Sequence, residues 1–227
     1  MEVIADRIAD PRALLVLLHG AGDHAADFLR HGFITTLRER RIPVDVLAVE
    51  ANSDLYLEKT MIARLHAEVI VPALRAYAQP LPLWLTGISL GGMGAALYAR
   101  AHPGTVAGLL LLAPFFAVRG TIAEVTRAGG LAAWNPEKLE PDDEERALLL
   151  WLKQWQHSDG PAIRLGYGTN DRYAPASALL AARLPADDVM TCAGGHDWAT
   201  WQALWPRLLD RLQVQAQAKA AHESGAI

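Results

Sequence analysis

The chain has 227 residues, 52% hydrophobic and 20% charged, which is enough apolar material for one packed α/β domain and too much for global disorder. A formal net charge of -4 leaves no basic stripe to neutralise phosphates, which argues against nucleic acid as a partner. The single cysteine, Cys192, excludes an internal disulfide framework and a cysteine metal cluster.

The amino terminus, Met1 to Arg7, carries Glu2 and Asp6 and does not read as a secretion signal. Ile4 to Ile8 reads as an antiparallel edge strand. Ala13 to Leu18 is the first buried strand, followed by a loop from His19 to Ala26 and helical sequence to Arg41, weakened at Gly32. Val44 to Val49 is the next strand. Lys59 to Ala78 has helical periodicity with a kink expected at Pro72, because proline removes an intrahelical bond. Leu83 to Ile88 is a strand that runs straight into Ser89. A helix from Gly91 to Ala101 ends at His102-Pro103. Val106 to Leu112 is apolar on both faces, as a central parallel strand must be.

Between that strand and the next, Ala162 to Gly166, lies an insertion over residues 118–159, too long for a simple connection. Thr121 to Ala128 reads as one helix in it. Pro141, with Asp142, Asp143, Glu144 and Glu145, starts a second helix that runs to Gln156, its acids matched to the helix dipole. Residues 118–159 are expected to form a small helical cap within a single domain covering 1–227. A helix over Pro175 to Leu184, a strand over Asp188 to Cys192 and a helix over His196 to Gln213 complete the pattern. The tail, 213–227, is expected to fray. The alternation predicts an α/β fold with a mostly parallel central sheet and flanking helices. The longest apolar runs fall far short of the ~20 residues of a membrane span, so a soluble, cytoplasmic protein is expected. Oligomeric state is left open.

Gly87-Ile88-Ser89-Leu90-Gly91 matches G-x-S-x-G in its required setting, after an apolar strand and before a helix of small residues. A serine on that sharp turn needs glycines two residues to either side, where side chains would clash across the turn. His19-Gly20-Ala21-Gly22-Asp23 follows the first buried strand and can aim a backbone N–H at the same edge. The N–H groups of Ala21 and Leu90 are the expected donors to a tetrahedral oxyanion, with His19 bracing the loop. Asp171 lies past the end of the fifth parallel strand and is the expected acid, ahead of Asp187, Asp188 and Asp197. His196, in Gly194-Gly195-His196-Asp197-Trp198, is the expected base. The chain order Ser, Asp, His sets it apart from His24, His31, His66, His102, His157 and His222, which read as solvated.

Trp198, Trp201 and Trp205 share one helical face and read as packing, with Trp198 close enough to His196 to wall a site. Trp134, Trp151 and Trp155 fall in the insertion, where they either line a substrate pocket or bury the insertion on the sheet. No histidine and carboxylate group has zinc-ligand spacing, so no metal is implied.

Together these residues resemble the α/β-hydrolase superfamily over about residues 12–212. His19-Gly20-Ala21-Gly22 is similar to its oxyanion loop, Gly87 to Gly92 to its nucleophile turn, Asp171 to its acid and His196 to its base. The Gly-Gly-His-Asp-Trp segment is similar to that of some esterases of the esterase D and enterochelin-esterase kind. Serine at the turn departs from the aspartate of epoxide hydrolases and haloalkane dehalogenases, and from the cysteine of dienelactone hydrolases. The resemblance implies a serine hydrolase that cleaves a carboxylic ester without a cofactor, its partner a small acyl substrate. An acyl thioesterase or C–C bond hydrolase is the alternative chemistry, and a low-turnover small-ligand receptor on the same fold is the alternative without catalysis.

Overall fold

The computed structural model describes residues 1–136, 138–156 and 158–224, with side chains throughout except at 211 and 213–224. Seven strands, β1 (Val3–Asp6), β2 (Ala13–Leu18), β3 (Val44–Val49), β4 (Leu83–Ile88), β5 (Val106–Leu112), β6 (Ala162–Gly168) and β7 (Val189–Cys192), form one sheet in the order β1-β3-β2-β4-β5-β6-β7. All neighbours are parallel except β1, which runs antiparallel to β3 at the edge, as its sequence predicts. The helices are α1 (Asp27–Arg30), α2 (Phe33–Glu39), α3 (Ser53–Leu57), α4 (Met61–Arg64), α5 (Val71–Arg75), α6 (Leu90–Ala101), α7 (Arg119–Arg127), α8 (Glu144–Gln154), α9 (Ala174–Ala181) and α10 (Trp198–Ser224).

β2, β3 and β4 are buried at every position, Asp45 of β3 and Thr86 of β4 included, because helices cover both faces. Alternate residues serve opposite faces. Leu14, Val16 and Leu18 join one core with Leu65, Leu97 and Leu148, while Leu15 and Leu17 join the other with Phe33, Trp205 and Leu208. The expected kink near Pro72 takes a specific form. A π-helical turn, Leu65–Ile70, joins α4 to α5 without a break, and Pro72, the second residue of α5, has no N–H to bond back into that turn.

The insertion supplies α7, which starts two residues before the expected Thr121, and α8, which is shorter at both ends than the expected Pro141 to Gln156. Ile122, Val125, Trp134, Leu148, Leu149 and Leu152 are buried in the core that also holds α6 and α9 residues, and α8 packs on α6 and α7 on α9. The last helix runs past Gln213, where its end was expected, to Ser224. Ala, Gln and Lys dominate that stretch and favour helix, and the next glycine is Gly225. The fraying expected over 213–227 concerns side chains, and at 225–227 whole residues, that lie outside the described residues. No helix among the described residues is long and apolar enough to cross a membrane.

A parallel sheet gathers the carboxyl ends of its strands at one edge. His19 after β2, Ser89 after β4, Asp171 after β6 and His196 after β7 therefore share that edge.

Candidate active site

Ser89 occupies the turn between β4 and α6 with φ 50° and ψ −114°. A non-glycine residue held there carries about 1–3 kcal/mol of strain. Its N–H donates to the Leu112 carbonyl (3.0 Å), and its carbonyl accepts from Gly92 and Phe115 (both 2.9 Å). The flanking glycines are sterically required. A Cβ at Gly87 would lie 2.2 Å from the Gly91 oxygen, and one at Gly91 would lie 2.1 Å from the Leu18 oxygen. A Cβ at Gly92 would lie 2.7 Å from Pro114 Cβ. The turn can be sharp only because these positions are bare, and α6 starts right after the serine with its positive dipole end at the site.

His19 is buried. Its Nε2 accepts from the Ala51 N–H (3.0 Å), so its ring proton sits on Nδ1, which donates to the Gly20 carbonyl (2.8 Å). It braces the loop, as expected. Gly20 to Asp23 then closes a turn, Asp23 N–H donating to Gly20 O (3.2 Å), with Gly22 at φ 81° in the left-handed region that favours glycine. A Cβ on Gly20 would stand 3.5 Å from Ser89 Cβ, which seats the turn against the serine. Among the described residues, the N–H groups of Ala21 and Leu90 bond to no protein acceptor.

His196 Nε2 lies 2.9 Å from Ser89 Oγ, and its Nδ1 lies 2.7 Å from Asp171 Oδ2. The other carboxylate oxygen, Oδ1, accepts the Tyr173 N–H at 2.7 Å. A carboxylate only accepts, so the imidazole proton sits on Nδ1 and Nε2 is left to accept from the serine hydroxyl. The Asp171 side chain is 1% exposed and that of His196 14%, so the carboxylate is shielded from water while the imidazole remains reachable. The rival acids are engaged elsewhere. Asp197 caps α10 by accepting the Thr200 N–H (2.8 Å), and Asp188 pairs with Arg164 (3.1 Å) at the far end of β6. Hydrogen bonding from Thr200 holds the Asp197 carboxyl below its ordinary value.

Two aromatic neighbours of His196 escape sequence reasoning. The ring of Tyr173 packs on the imidazole at 4.8 Å between centroids and 69°, and that of Trp201 at 5.2 Å and 90°. Tyr173 could have been found from its place two residues after Asp171. Trp201 could not, because its helical spacing is that of an ordinary core stripe.

A family model described as serine aminopeptidase, S33, matches residues 62–156, less than half of the chain, a span that holds Ser89 but neither Asp171 nor His196. A comparison with curated protein sequences returns no match. Among solved structures, the chain is similar to Est1E from Butyrivibrio proteoclasticus, at 17% identity over 95% of this chain and 94% of that one, with a TM-score of 0.63. It is similar to the S-formylglutathione hydrolase FrmB from Staphylococcus aureus (18% identity, 88% and 80% covered, TM-score 0.59). It is also similar to a monoacylglycerol lipase from Paleococcus ferrophilus (18%, 95% and 100%, TM-score 0.56). The chain has the α/β-hydrolase fold.

Within this fold the four tryptophans considered for a substrate pocket separate. Trp198 reaches the site edge, its Nε1 donating to Asp23 Oδ1 at 3.1 Å. Trp134 is 2% exposed and donates to Glu124, so it offers no face to a ligand. Trp151 and Trp155 line a cavity of about 280 Å³ with Ala99, His102 and Val106. His102 follows the carboxyl end of α6, whose 12 residues span roughly 18 Å from Ser89 at 1.5 Å each. Of the two roles left open for Trp134, Trp151 and Trp155, the geometry favours packing: Trp134, ahead of α8, is buried in the core, and α8, packed alongside α6, carries Trp151 and Trp155 to the opposite edge of the sheet from Ser89. Of the other described histidines expected to be solvated, His24 is exposed, whereas His31, His66 and His102 are partly buried against aromatic partners. His31 stacks on Trp198, His24 meets Glu50 (3.1 Å), and His66 stacks on His102 and meets Tyr98 OH (2.9 Å). His157 and the side chain of His222 lie outside the described residues. Among the described residues no group of three His, Cys, Asp or Glu could hold a metal ion.

Proposed function

We propose that this protein is a serine hydrolase that cleaves carboxylic esters through an acyl-enzyme, with Ser89 as nucleophile, His196 as base and Asp171 as the acid that orients it. The observation that carries the reading is the unbroken hydrogen-bond path from Ser89 Oγ through the imidazole to a buried carboxylate. Ser89 Oγ attacks the ester carbonyl as His196 Nε2 takes its proton, and Asp171 stabilises the imidazolium. The unpaired N–H groups of Ala21 and Leu90 are the donors for the oxyanion, each contributing about 3 kcal/mol. Collapse of the tetrahedral adduct breaks the bond to the leaving alcohol, which departs with the proton from His196. Water, deprotonated by His196, then attacks the acyl carbonyl, releases the acid and restores the serine hydroxyl. The hydrolase and lipase names of the solved relatives agree with acyl transfer to water.

A series of 4-nitrophenyl esters of increasing acyl length tests the proposal. Steady turnover is expected for the wild type, with kcat lower by about 10³-fold or more in Ser89→Ala. A wild type that turns over no ester or thioester, or that binds product without turnover, overturns it, the second result in favour of a receptor.

A further inference from the structure

We propose that Trp198 and Asp23 form a latch that positions the oxyanion turn relative to the base, an inference that rests on the serine hydrolase reading. The turn Gly20–Asp23 has no regular structure, and Ala21 and Gly22 are exposed. On its carboxyl side the loop is tied down well: Glu50 accepts the Ala25 N–H (2.9 Å) and meets His24, and Asp27 accepts the His24 N–H (2.7 Å). On its amino side His19 holds Gly20. Between these anchors, among the described residues, one side-chain bond from another element, the start of α10, reaches the turn. It runs from Trp198 Nε1 to Asp23 Oδ1.

Trp198 is itself fixed on several sides. It stacks on His31 at 4.3 Å and 7°, and meets Phe28, Phe33 and Trp201 edge to face. Trp201 in turn packs edge-on against His196. A continuous chain of contacts therefore runs from the turn bearing the Ala21 N–H, through Asp23, Trp198 and Trp201, to the imidazole. Oxyanion stabilisation depends steeply on donor placement, because the donors act only when held at about 3 Å from the developing charge. Asp23 and Trp198 touch no reacting atom in this scheme. They are positioning residues, two positions beyond Ala21 and His196 respectively.

The test combines kinetics with a readout that needs no turnover. Trp198→Phe keeps the ring packing and removes the donor, Asp23→Ala removes the acceptor, and Asp23→Asn keeps an acceptor oxygen. On 4-nitrophenyl acetate, Trp198→Phe and Asp23→Ala are each expected to lower kcat about tenfold at nearly constant KM, with Asp23→Asn close to wild type. The double variant should be no worse than the worse single one. The apparent pKa of the kcat/KM profile should not move, because the bonds of His196 to Ser89 and Asp171 are untouched. Independently of activity, solvent exchange of the Trp198 indole N–H, followed by NMR, should be slow in wild type and Asp23→Asn and about tenfold faster in Asp23→Ala. Equal exchange in all three, kcat unchanged in both single variants, or fully additive losses in the double variant would overturn the latch. An inactive wild type with a protected Trp198 N–H would overturn the hydrolase reading instead.

Discussion

Asp171→Asn turns a near-isosteric change into a loss of function through one constraint. Asp171 Oδ1 accepts the Tyr173 N–H at 2.7 Å, and Oδ2 faces His196 Nδ1 at 2.7 Å. The Tyr173 amide can only donate, so the asparagine must turn its oxygen towards it. Its NH₂ then faces Nδ1, which has to accept, and the ring proton moves to Nε2, where it blocks uptake of the Ser89 proton. The flipped amide orphans the Tyr173 N–H at about 1–3 kcal/mol. Even in that orientation a neutral amide lacks the charge-assisted bond to the imidazolium, a loss of about 1.5–3 kcal/mol. Together these give about 2.5–6 kcal/mol, or roughly 10²–10⁴ in kcat. Steady-state kinetics on 4-nitrophenyl acetate measure it, with circular dichroism confirming an intact fold. A folded Asp171→Asn variant whose kcat stays within about tenfold of wild type would refute the reasoning.

Three further outcomes are expected. Gly91→Ala should destabilise the fold by about 3 kcal/mol in urea titration, since its Cβ would meet the Leu18 and His19 backbone oxygens at 2.1 and 2.6 Å, whereas helix propensity alone would give a gain of about 1 kcal/mol. Trp151→Phe should leave kcat/KM for short esters within about twofold of wild type, because Trp151 lies at the opposite edge of the sheet from Ser89; a loss of about tenfold would return it to the substrate site. Burial acts to raise the Glu50 carboxyl, but bonds from Ala25 and His24 outweigh it and hold the group below its ordinary value of 4.5. A depressed carboxyl stabilises the fold above its unfolded pKa and loses that contribution as pH falls through the folded value. The difference in melting temperature between wild type and Glu50→Gln should therefore be largest near neutral pH and shrink below 4.5.

The sheet was legible because its central strands are mostly apolar stretches too short for a helix and bounded by turn residues, so β2 through β5 keep their expected limits. Ser89, Asp171 and His196 were legible because each follows a strand and the sheet alone brings strand ends together. The tryptophans were not. An indole at i, i+4 on a helix has the same spacing whether it faces a ligand or a core, and only the packing of α8 against α6 decided that Trp151 and Trp155 face away from Ser89. The end of α10 was missed for a different reason: amphipathic periodicity fades after Gln213, but propensity alone keeps the backbone helical. The bond between Trp198 and Asp23 joins residues 175 positions apart and leaves no local trace in the sequence.

The most direct measurement is intact-protein and peptide mass spectrometry after exposure to a fluorophosphonate probe, in which an activated serine oxygen attacks phosphorus and fluoride leaves. The expected result is a single adduct on the peptide carrying Ser89, formed slowly or not at all in His196→Ala. An unmodified wild-type protein, or an adduct on another residue that persists in Ser89→Ala, would contradict the assignment of Ser89 as the nucleophile.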